Sequence, residues 1–423
     1  KTLVIGSGLE LIESFTFWNN LALRSVFVRG NKPATLEGDA FYSGDAEENV
    51  TLYVPEGSKQ LYATAPCWED FKNIKEYSLE GIDRHPGYAS EESVAVDGIA
   101  YDLNRENMTA TVVSDCYWDA DDNEIELCPT YSGNIVIPEE ITVDGVDYTV
   151  TEIGKWTFMC RALESLSLPS TLKTIQGTAF AFVEGLKTLK IPASVENIIP
   201  CIFAFCDDLE TLEIEEGNKN YVFEDRFLMT ADRTRLISAI GLANIGKQEN
   251  VVVPSTVKSI EYGAMYGAYG MANITLPEGL ETIGTSAFSC SGITSLHIPA
   301  SVTTIEDGFL TYADKLKEVT VAEGNANYTV KNGMLLTKDL TELLEIPSLL
   351  DSYEIPETVT CIYYGAADCL NTNSIVIPDG VKILDEWAFV PNDALETVVV
   401  GSSVETWGDG AFYNCKNLKS IYL

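Results

Sequence analysis

Apolar residues recur along most of the chain in one spaced unit. The unit reads Leu-x-x-Leu-x-Leu-Pro, then x-x-Val-x-x-Ile-x-x-x-Ala-Phe, and a Cys often follows two or three residues later. One position of the unit recurs at Phe158, Phe180, Phe203, Met265, Phe288, Leu310, Ala367, Phe389 and Phe412. Most of these residues are 22 or 23 apart, and two longer steps measure 62 and 57 residues. A fixed period of this length predicts a solenoid of stacked repeats.

Each unit predicts one strand and one turn. Apolar positions alternate in residues 166–168, which places one row of side chains in the core and the other in solvent. Pro169 ends the strand because it has no amide hydrogen to donate. From Leu172 through Ile175 to Phe180 the apolar spacing is three and four residues, which predicts a short helical or 3₁₀ turn. The predicted fold class is a right-handed α/β repeat solenoid with a parallel sheet on one side.

Two inserts account for the longer steps. They fall near residues 215–250 and 322–352, and Asn220-Tyr221 in the first is echoed by Asn327-Tyr328 in the second. We interpret both as hairpin-type variants of the repeat.

The sequence divides into four parts. They are a short repeat segment with an array-end cap at 1–78, a linker at 79–93, a β-hairpin starting cap at 94–130, and the main solenoid at 131–423. The end cap is inferred from Trp68 and Phe71 at helical spacing, and the hairpin from the turn pair Asp97-Gly98. An apparent array end thus precedes an apparent array start, which indicates a piece of a longer chain or a fusion of two arrays.

The charge balance limits the classes of partner. The chain has 27 Lys and Arg against 64 Asp and Glu, a net charge of −37. Such a surface repels phosphate backbones and anionic membranes, so nucleic acid is excluded as a main partner. No apolar run approaches the roughly 18 residues of a membrane helix.

These units resemble the BspA-like leucine-rich repeat family, found largely in surface and secreted proteins of Bacteroidetes. The match is carried by units such as residues 302–310 and 404–415, and by the stretch at 131–138 that is similar to the family's array start. The resemblance implies a leucine-rich repeat superhelix in a bacterial surface or secreted protein that serves adhesion or other macromolecular binding. The family motif contains no catalytic residues.

Cysteine and histidine spacing predicts neither a metal site nor a cofactor. The ten Cys form no Cys-x-x-Cys pair, and His85 and His297 are isolated. Core packing is predicted for the Cys that recur near one repeat position, namely Cys160, Cys206, Cys290, Cys369 and Cys415. Cys116 and Cys128 stand outside that register, and they either pair in an oxidising compartment or remain thiols.

The sequence offers little support for a calcium site or for enzyme motifs. Residues 119–123 begin like a calcium loop, but Glu124 replaces the expected Gly and Thr130 the expected Glu, which leaves a solvated acidic loop or a weak cation site. The motifs of serine hydrolases, P-loops and dinucleotide-binding folds do not occur. We therefore predict a protein that is not an enzyme.

The exposed row of the predicted strands is the candidate binding face. It consists of Ser167, Lys190, Glu213, Val252, Thr275, His297, Thr320, Glu354, Val376, Val399 and Tyr422. Each residue could equally be a solvated strand position. Trp156 and Trp387 share one repeat position and would stack on sugars, anchor a protein partner or pack between coils, whereas Trp407 occupies a core position.

The combined prediction is a non-catalytic extracellular binding module that uses its sheet face for adhesion or protein binding. The alternatives are a glycan-binding module of a nutrient-capture system, an enzyme with a site in the inserts, and a structural spacer. The partner is predicted to be a protein or a glycan, and the open array ends allow end-to-end self-association.

Overall fold

A computed structural model describes most of the chain. It covers residues 2–5, 11–12, 25–28, 32–36, 50–55, 57–77, 93–114, 131–245, 250–350 and 352–423. The chain forms two compact units, Lys1–Arg105 with Val112–Tyr131 and Glu106–Thr111 with Ser132–Leu423. The division into four parts stays a prediction. Several predictions fall outside the described residues: His85 and the rest of the linker except Ser93, the cysteines Cys116 and Cys128, and the acidic loop.

The first unit contains a set of parallel strands and the antiparallel hairpin of residues 94–104. Its elements, with a strand that crosses the unit boundary, are β1 (Thr2–Ile5), β2 (Leu11–Ile12), β3 (Ser25–Val28), β4 (Thr35–Leu36), β5 (Thr51–Pro55), α1 (Lys59–Tyr62), β6 (Asn73–Tyr77), β7 (Val94–Val96), β8 (Ile99–Asn104) and β9 (Thr109–Val113). The order β1-β3-β5-β6 forms one parallel sheet. Buried Trp68 packs edge-on against Tyr62 at 5.2 Å between ring centroids, and its indole nitrogen donates to the carbonyl oxygen of Ala34 at 2.8 Å.

The second unit is a stack of coils interrupted by two meanders. Its first strands are β10 (Gly133–Val136), β11 (Glu140–Val143), β12 (Val146–Ile153), β13 (Leu163–Ser167), β14 (Thr174–Ile175), β15 (Thr188–Ile191), β16 (Asn197–Ile198), β17 (Thr211–Ile214), β18 (Tyr221–Glu224), β19 (Phe227–Thr230), β20 (Arg235–Ala239), β21 (Asn250–Val252), β22 (Ser259–Ile260) and β23 (Asn273–Thr275). The remaining strands are β24 (Thr282–Ile283), β25 (Ser295–Ile298), β26 (Thr304–Ile305), β27 (Glu318–Val321), β28 (Tyr328–Lys331), β29 (Met334–Thr337), β30 (Glu342–Glu345), β31 (Cys361–Ile362), β32 (Ser374–Ile377), β33 (Ile383–Leu384), β34 (Thr397–Val400), β35 (Thr406–Trp407) and β36 (Ser420–Tyr422).

Each regular coil contains a long strand followed by a two-residue strand. The long strand β15 pairs in parallel with β17, so Leu189 lies beside Leu212 in the core. Two-residue strands likewise align Ile175 with Ile198. Burial of both apolar rows against the neighbouring coils supplies the stabilisation that a single coil lacks.

The structure does not support the predicted helical turn after each two-residue strand, and the described turns contain single bonds to the carbonyl three residues back, as from Met159 to Trp156 at 3.1 Å. Alternate amides in these turns donate to the next coil, as Phe158 does to Ala179 at 2.8 Å and Cys160 to Ala181 at 3.0 Å. An α-helix needs successive amides to bond within their own segment. In the part of the chain that the structure describes, the sole helix is the four-residue α1, so the solenoid is a β-solenoid and the α/β class is not supported either.

Backbone conformation explains why the turns avoid helix. Residues two before and two after the Phe180 position have positive φ in most coils, as at Trp156 (54°) and Cys160 (57°), or at Thr178 (58°) and Phe182 (57°). A left-handed residue interrupts the repeating α-helical dihedral angles. The three- and four-residue apolar spacing therefore marks a tight turn with two left-handed positions.

The two inserts form antiparallel meanders of the same construction. Strands β18, β19 and β20 pair in sequence, as do β28, β29 and β30. The hydroxyl oxygen of Tyr221 accepts from the amide of Ile198 at 2.7 Å, and that of Tyr328 accepts from Ile305 at 2.8 Å. The first strand of each meander is thus joined by a hydrogen bond to the last two-residue strand of the preceding coils.

The long strands stack in parallel, as predicted, and pair in the groups β10-β13, β15-β17, β21-β23, β25-β27 and β32-β34-β36. The two-residue strands instead continue the meanders, in the orders β18-β19-β20-β22-β24-β26 and β28-β29-β30-β31-β33-β35. Across the described ranges no helix has the length and apolarity that crossing a membrane requires.

Candidate binding surface

The predicted binding residues lie on the solvent side of the long strands. Lys190 sits between the buried Leu189 and Ile191, so its side chain points away from the core. We call the set the strand ladder; ten of its members are exposed and Thr320 is half-buried. The ladder consists of Ser167, Lys190, Glu213, Val252, Thr275, His297, Thr320, Glu354, Val376, Val399 and Tyr422.

Strand pairing brings the ladder residues together in small groups. The aligned sets are Val136 with Ser167, Lys190 with Glu213, Val252 with Thr275, His297 with Thr320, and Glu354, Val376, Val399 and Tyr422 in succession. The first meander separates Glu213 from Val252 in sequence, and the second separates Thr320 from Glu354. The exposed Val136 belongs beside Ser167 and was missed because its strand precedes the regular repeats.

One charged group marks the first part of the ladder. Lys190 Nζ lies 2.6 Å from Glu215 Oε1, and the other Glu215 carboxylate oxygen accepts from the amide of Ala193 at 3.0 Å. The hydrogen bond and charge of Glu215, helped by Glu213, raise the pKa of Lys190, and the same hydrogen bond lowers the pKa of Glu215. Lys190 is therefore held as a fixed cation between two carboxylates.

A hydrogen-bonded polar pair occupies the middle of the ladder. His297 Nδ1 lies 2.9 Å from the hydroxyl oxygen of Thr320 in the next strand. Strand β25 buries Leu296 and Ile298 on either side of this histidine. The imidazole is thus oriented by its neighbour and faces solvent.

The last part of the ladder is apolar and borders a cleft. Val376 and Tyr422 are 58% and 59% exposed. The cleft, of about 500 Å³, is lined by Val376 together with Leu349, Leu350, Ser352, Tyr353, Asn371, Thr372, Ser374 and Ile375. The Tyr353 hydroxyl donates to the carbonyl oxygen of Ser348 at 2.7 Å, which fixes one wall.

Trp156 and Trp387 occupy equivalent turn positions away from the strand ladder. Their φ angles are 54° and 55°. Trp387 is 37% exposed, and its ring centroid lies 5.5 Å from that of Tyr413. The two tryptophans belong to coils separated by both meanders, so they do not form one site.

Two predicted core assignments are wrong. Cys160 is exposed, whereas Cys206 is buried, because Cys160 comes two residues after the Phe position and Cys206 three. Trp407 is 43% exposed because it lies in β35, the edge strand of its sheet. The described Cys residues form no disulfide, and the described ranges hold no cluster of three His, Cys, Asp or Glu suited to a metal ion.

Two carboxyl groups are buried in the core rather than in a cleft. Glu345 is 3% exposed and Asp368 is 2% exposed. Burial, and then Asp368, raises the pKa of Glu345, and burial, and then Asp314, raises the pKa of Asp368. Asp368 also accepts from the amide of Tyr312.

The repeats were compared with known families. The model of the BspA type leucine rich repeat region matches in six copies, over residues 151–247, 235–351 and 346–423, which is more than half of the chain. The chain belongs to the BspA-type leucine-rich repeat family. None of the curated proteins compared with it matches.

Several solved structures are similar to this BspA-type chain. A leucine-rich cell surface protein of Faecalibacterium prausnitzii is 23% identical, with 79% of this chain and 95% of that chain covered at a TM-score of 0.39. A leucine-rich repeat protein of Eubacterium ventriosum is 19% identical, with coverages of 78% and 72% and a TM-score of 0.40. The pneumococcal vaccine antigen PcpA is 19% identical, with coverages of 78% and 80% and a TM-score of 0.37.

The BspA-type turns also carry aromatic residues that the sequence analysis missed. Phe182 and Phe205 stack with centroids 4.5 Å apart, and Phe205 meets Tyr266 edge-on at 5.1 Å. The available signal was their spacing, since Phe182, Phe205 and Tyr312 each follow the Phe position by two residues, as Cys160 does.

Proposed function

We propose that the chain is a non-catalytic binding module whose strand ladder receives a protein partner outside a bacterial cell. The observation that carries the proposal is the row of oriented, solvent-facing side chains on a preformed set of parallel strands, with Lys190 fixed beside Glu215 at 2.6 Å. A rigid surface binds with little ordering cost, and many modest contacts sum to a stable complex. Surface or secreted location follows the family resemblance.

Paired charge variants test the strand ladder. The purified chain is screened against an array of extracellular host proteins, and each saturable hit is titrated against K190A/E213A and against K258A/E281A. The second pair is a matched control, because Lys258 and Glu281 also bridge neighbouring coils, at 3.3 Å, but lie outside the long strands. We expect the ladder variant to weaken binding about tenfold and the control to leave it within about twofold. Equal losses in both variants would reject the ladder.

A glycan is the second candidate partner. Trp387 and Tyr413 are both exposed, and their rings are tilted by 54° at 5.5 Å. Aromatic faces of this kind stack on apolar sugar surfaces. If W387A abolishes binding of a glycan and K190A/E213A leaves it intact, the partner is a glycan and the proposal of a protein partner is rejected.

Self-association belongs to the same proposal. Unpaired strand edges can pair with another chain. Light scattering over a wide concentration range tests this, and a constant monomer mass would contradict it.

A further inference from the structure

A second surface of the chain is more continuous than the strand ladder. It is formed by the turn segments that follow the two-residue strands, and we call it the turn face: residues 176–185, 199–208, 261–272, 284–292, 306–315, 363–373, 385–394 and 408–417. Neighbouring turns stay in contact across both meanders. A Cβ atom on Gly263 would lie 2.6 Å from Cys201 Sγ, and one on Gly365 would lie 2.6 Å from the Thr311 hydroxyl oxygen.

Aromatic rings follow the turn face from coil to coil. Phe182 and Tyr262 are 45% and 46% exposed, and Tyr312 is 39% exposed. Phe205 stacks on Phe182 at 4.5 Å and meets Tyr266 edge-on at 5.1 Å, so rings from three successive turns are in contact. Exposed rings in such a row are unusual on an unbound surface, where large apolar groups are normally scattered.

The turn face is mainly acidic. Its segments contain twelve Asp and Glu against two basic residues, Lys315 and Lys416, and Lys416 pairs with Asp393 at 3.6 Å. Glu306, Asp307, Asp385 and Glu386 make no ion pair within the described part of the chain. Burial, followed by Asp385 and Glu306, raises the pKa of Asp307, which shows that these carboxylates repel one another.

Lysines elsewhere on the solenoid pair with carboxylates of adjacent coils. Lys173 pairs with Glu196 at 2.6 Å, and Lys419 pairs with Glu396 at 2.9 Å. A cation that binds beside Asp307 would offset the repulsion of its carboxylate by Asp385 and Glu306.

We infer that the turn face binds an extended polypeptide segment rich in Lys and Arg. Tyrosine faces attract ammonium and guanidinium groups, and the flanking carboxylates add charge-assisted hydrogen bonds. Both features are used by a cationic segment, whereas a neutral glycan would use only the rings. This site is separate from the strand ladder, so either proposal can fail alone.

The test uses a labelled peptide of alternating Lys and Ser, titrated by fluorescence anisotropy at low and at physiological salt. Two variants divide the two contributions: D307N/D385N removes charge, and Y262L/Y312L removes rings without changing charge. E278Q/E357Q is the matched control, since it removes two exposed carboxylates from other turns. Thermal melting shows that each variant is folded.

We expect each turn-face variant to weaken peptide binding at least fivefold or so, and the control and K190A/E213A to stay within about twofold. Equal weakening by the control would mean diffuse attraction to an acidic chain and would overturn the proposal. Unchanged binding to Y262L/Y312L would also overturn it. Binding of neutral oligosaccharides that is lost in Y262L/Y312L, together with no peptide binding, would assign the rings to a glycan.

Discussion

At the scale of single residues, Glu345 and Asp368 are notable because both carboxyl groups are buried in the core. Ser238 and Tyr266 occupy the equivalent positions one meander earlier, where Ala239 donates to Ala264 as Ile346 does to Ala366. Burial raises the pKa of both carboxyls, with further contributions from Asp368 to Glu345 and from Asp314 to Asp368. The folded state therefore favours their protonated forms.

We expect the buried pair to make stability fall as pH rises. A carboxyl with a raised folded pKa contributes fully below its unfolded value of about 4, and the contribution is lost as pH rises through the folded value. E345Q should therefore raise the free energy of unfolding by roughly 1–3 kcal/mol at alkaline pH and have little effect near pH 4. Denaturant titrations across pH measure this, with E357Q as the exposed control. A pH-independent effect of E345Q would contradict it.

Cysteine position within the turn predicts reactivity. Burial raises the pKa of the Cys206 thiol to about 12, and the thiol donates to the carbonyl oxygen of Phe180 at 2.8 Å. Cys160 is exposed. Iodoacetamide should modify Cys160 in the native chain about a hundredfold faster than Cys206, because the thiolate is the nucleophile and access is required. Peptide mass spectrometry with and without urea measures both rates, and equal native rates would be contrary to the structure.

The one-residue difference between these cysteines also limits what sequence can predict. Leu166 was correctly predicted as core because strand periodicity is strict at the core face. The turn positions after each Phe alternate between inside and outside over one residue, so Cys160 and Cys206 were placed together. The aromatic residues Phe182 and Tyr312 were missed for the same reason.

At the scale of elements, the turn is defined by hydrogen bonds that no sequence period displays. A three-to-four apolar spacing fits a helix, yet the amides of Phe180 and Phe182 donate to Ile202 and Ala204 in the next coil. Long-range bonds of this kind override the local propensity of the segment. The prediction of strands from alternation was reliable, and the prediction of helix from spacing was not.

Crowding in the turns gives a prediction for glycine. Gly267 has φ of 83°, and a Cβ there would lie 2.8 Å from the Phe205 ring, whereas Gly145, with φ of 78°, has no atom within 4 Å of such a Cβ. Both Ala variants carry backbone strain, and G267A adds the clash. G267A should therefore cost roughly 1–2 kcal/mol more than G145A in urea unfolding. Equal losses of unfolding free energy in G267A and G145A would mean that the neighbouring turn shifts without cost, contrary to this prediction.

At the scale of the whole chain, the net charge of −37 acts against the folded state. Sodium chloride shortens the Debye length from about 8 Å at physiological strength to about 3 Å at 1 M. We expect the melting temperature at neutral pH to rise with added salt, because screening weakens the repulsion among carboxylates. The rise should shrink near the sequence pI of about 4.2, where many carboxylates are protonated. A salt-independent melting temperature at neutral pH would contradict it.

Repeat period and family resemblance were enough to predict a stacked solenoid for the chain as a whole. They did not show that the long strands pair in five groups, or that the turns stay in contact across both meanders. Those features depend on contacts between residues of different coils, which a local sequence period does not encode.

The alternate turn amides described above have a mechanical consequence. Each regular coil is held by three rows of hydrogen bonds, from the long strand, the two-residue strand and the turn, and these rows connect it chiefly to its immediate neighbours. Tension applied along the stack would act on all the hydrogen-bond rows of one coil–coil junction at the same time. Successive junctions would carry the same force one after another along the stack. Extension would then proceed by peeling coils in succession, each regular coil of 22 residues releasing about 75 Å of chain.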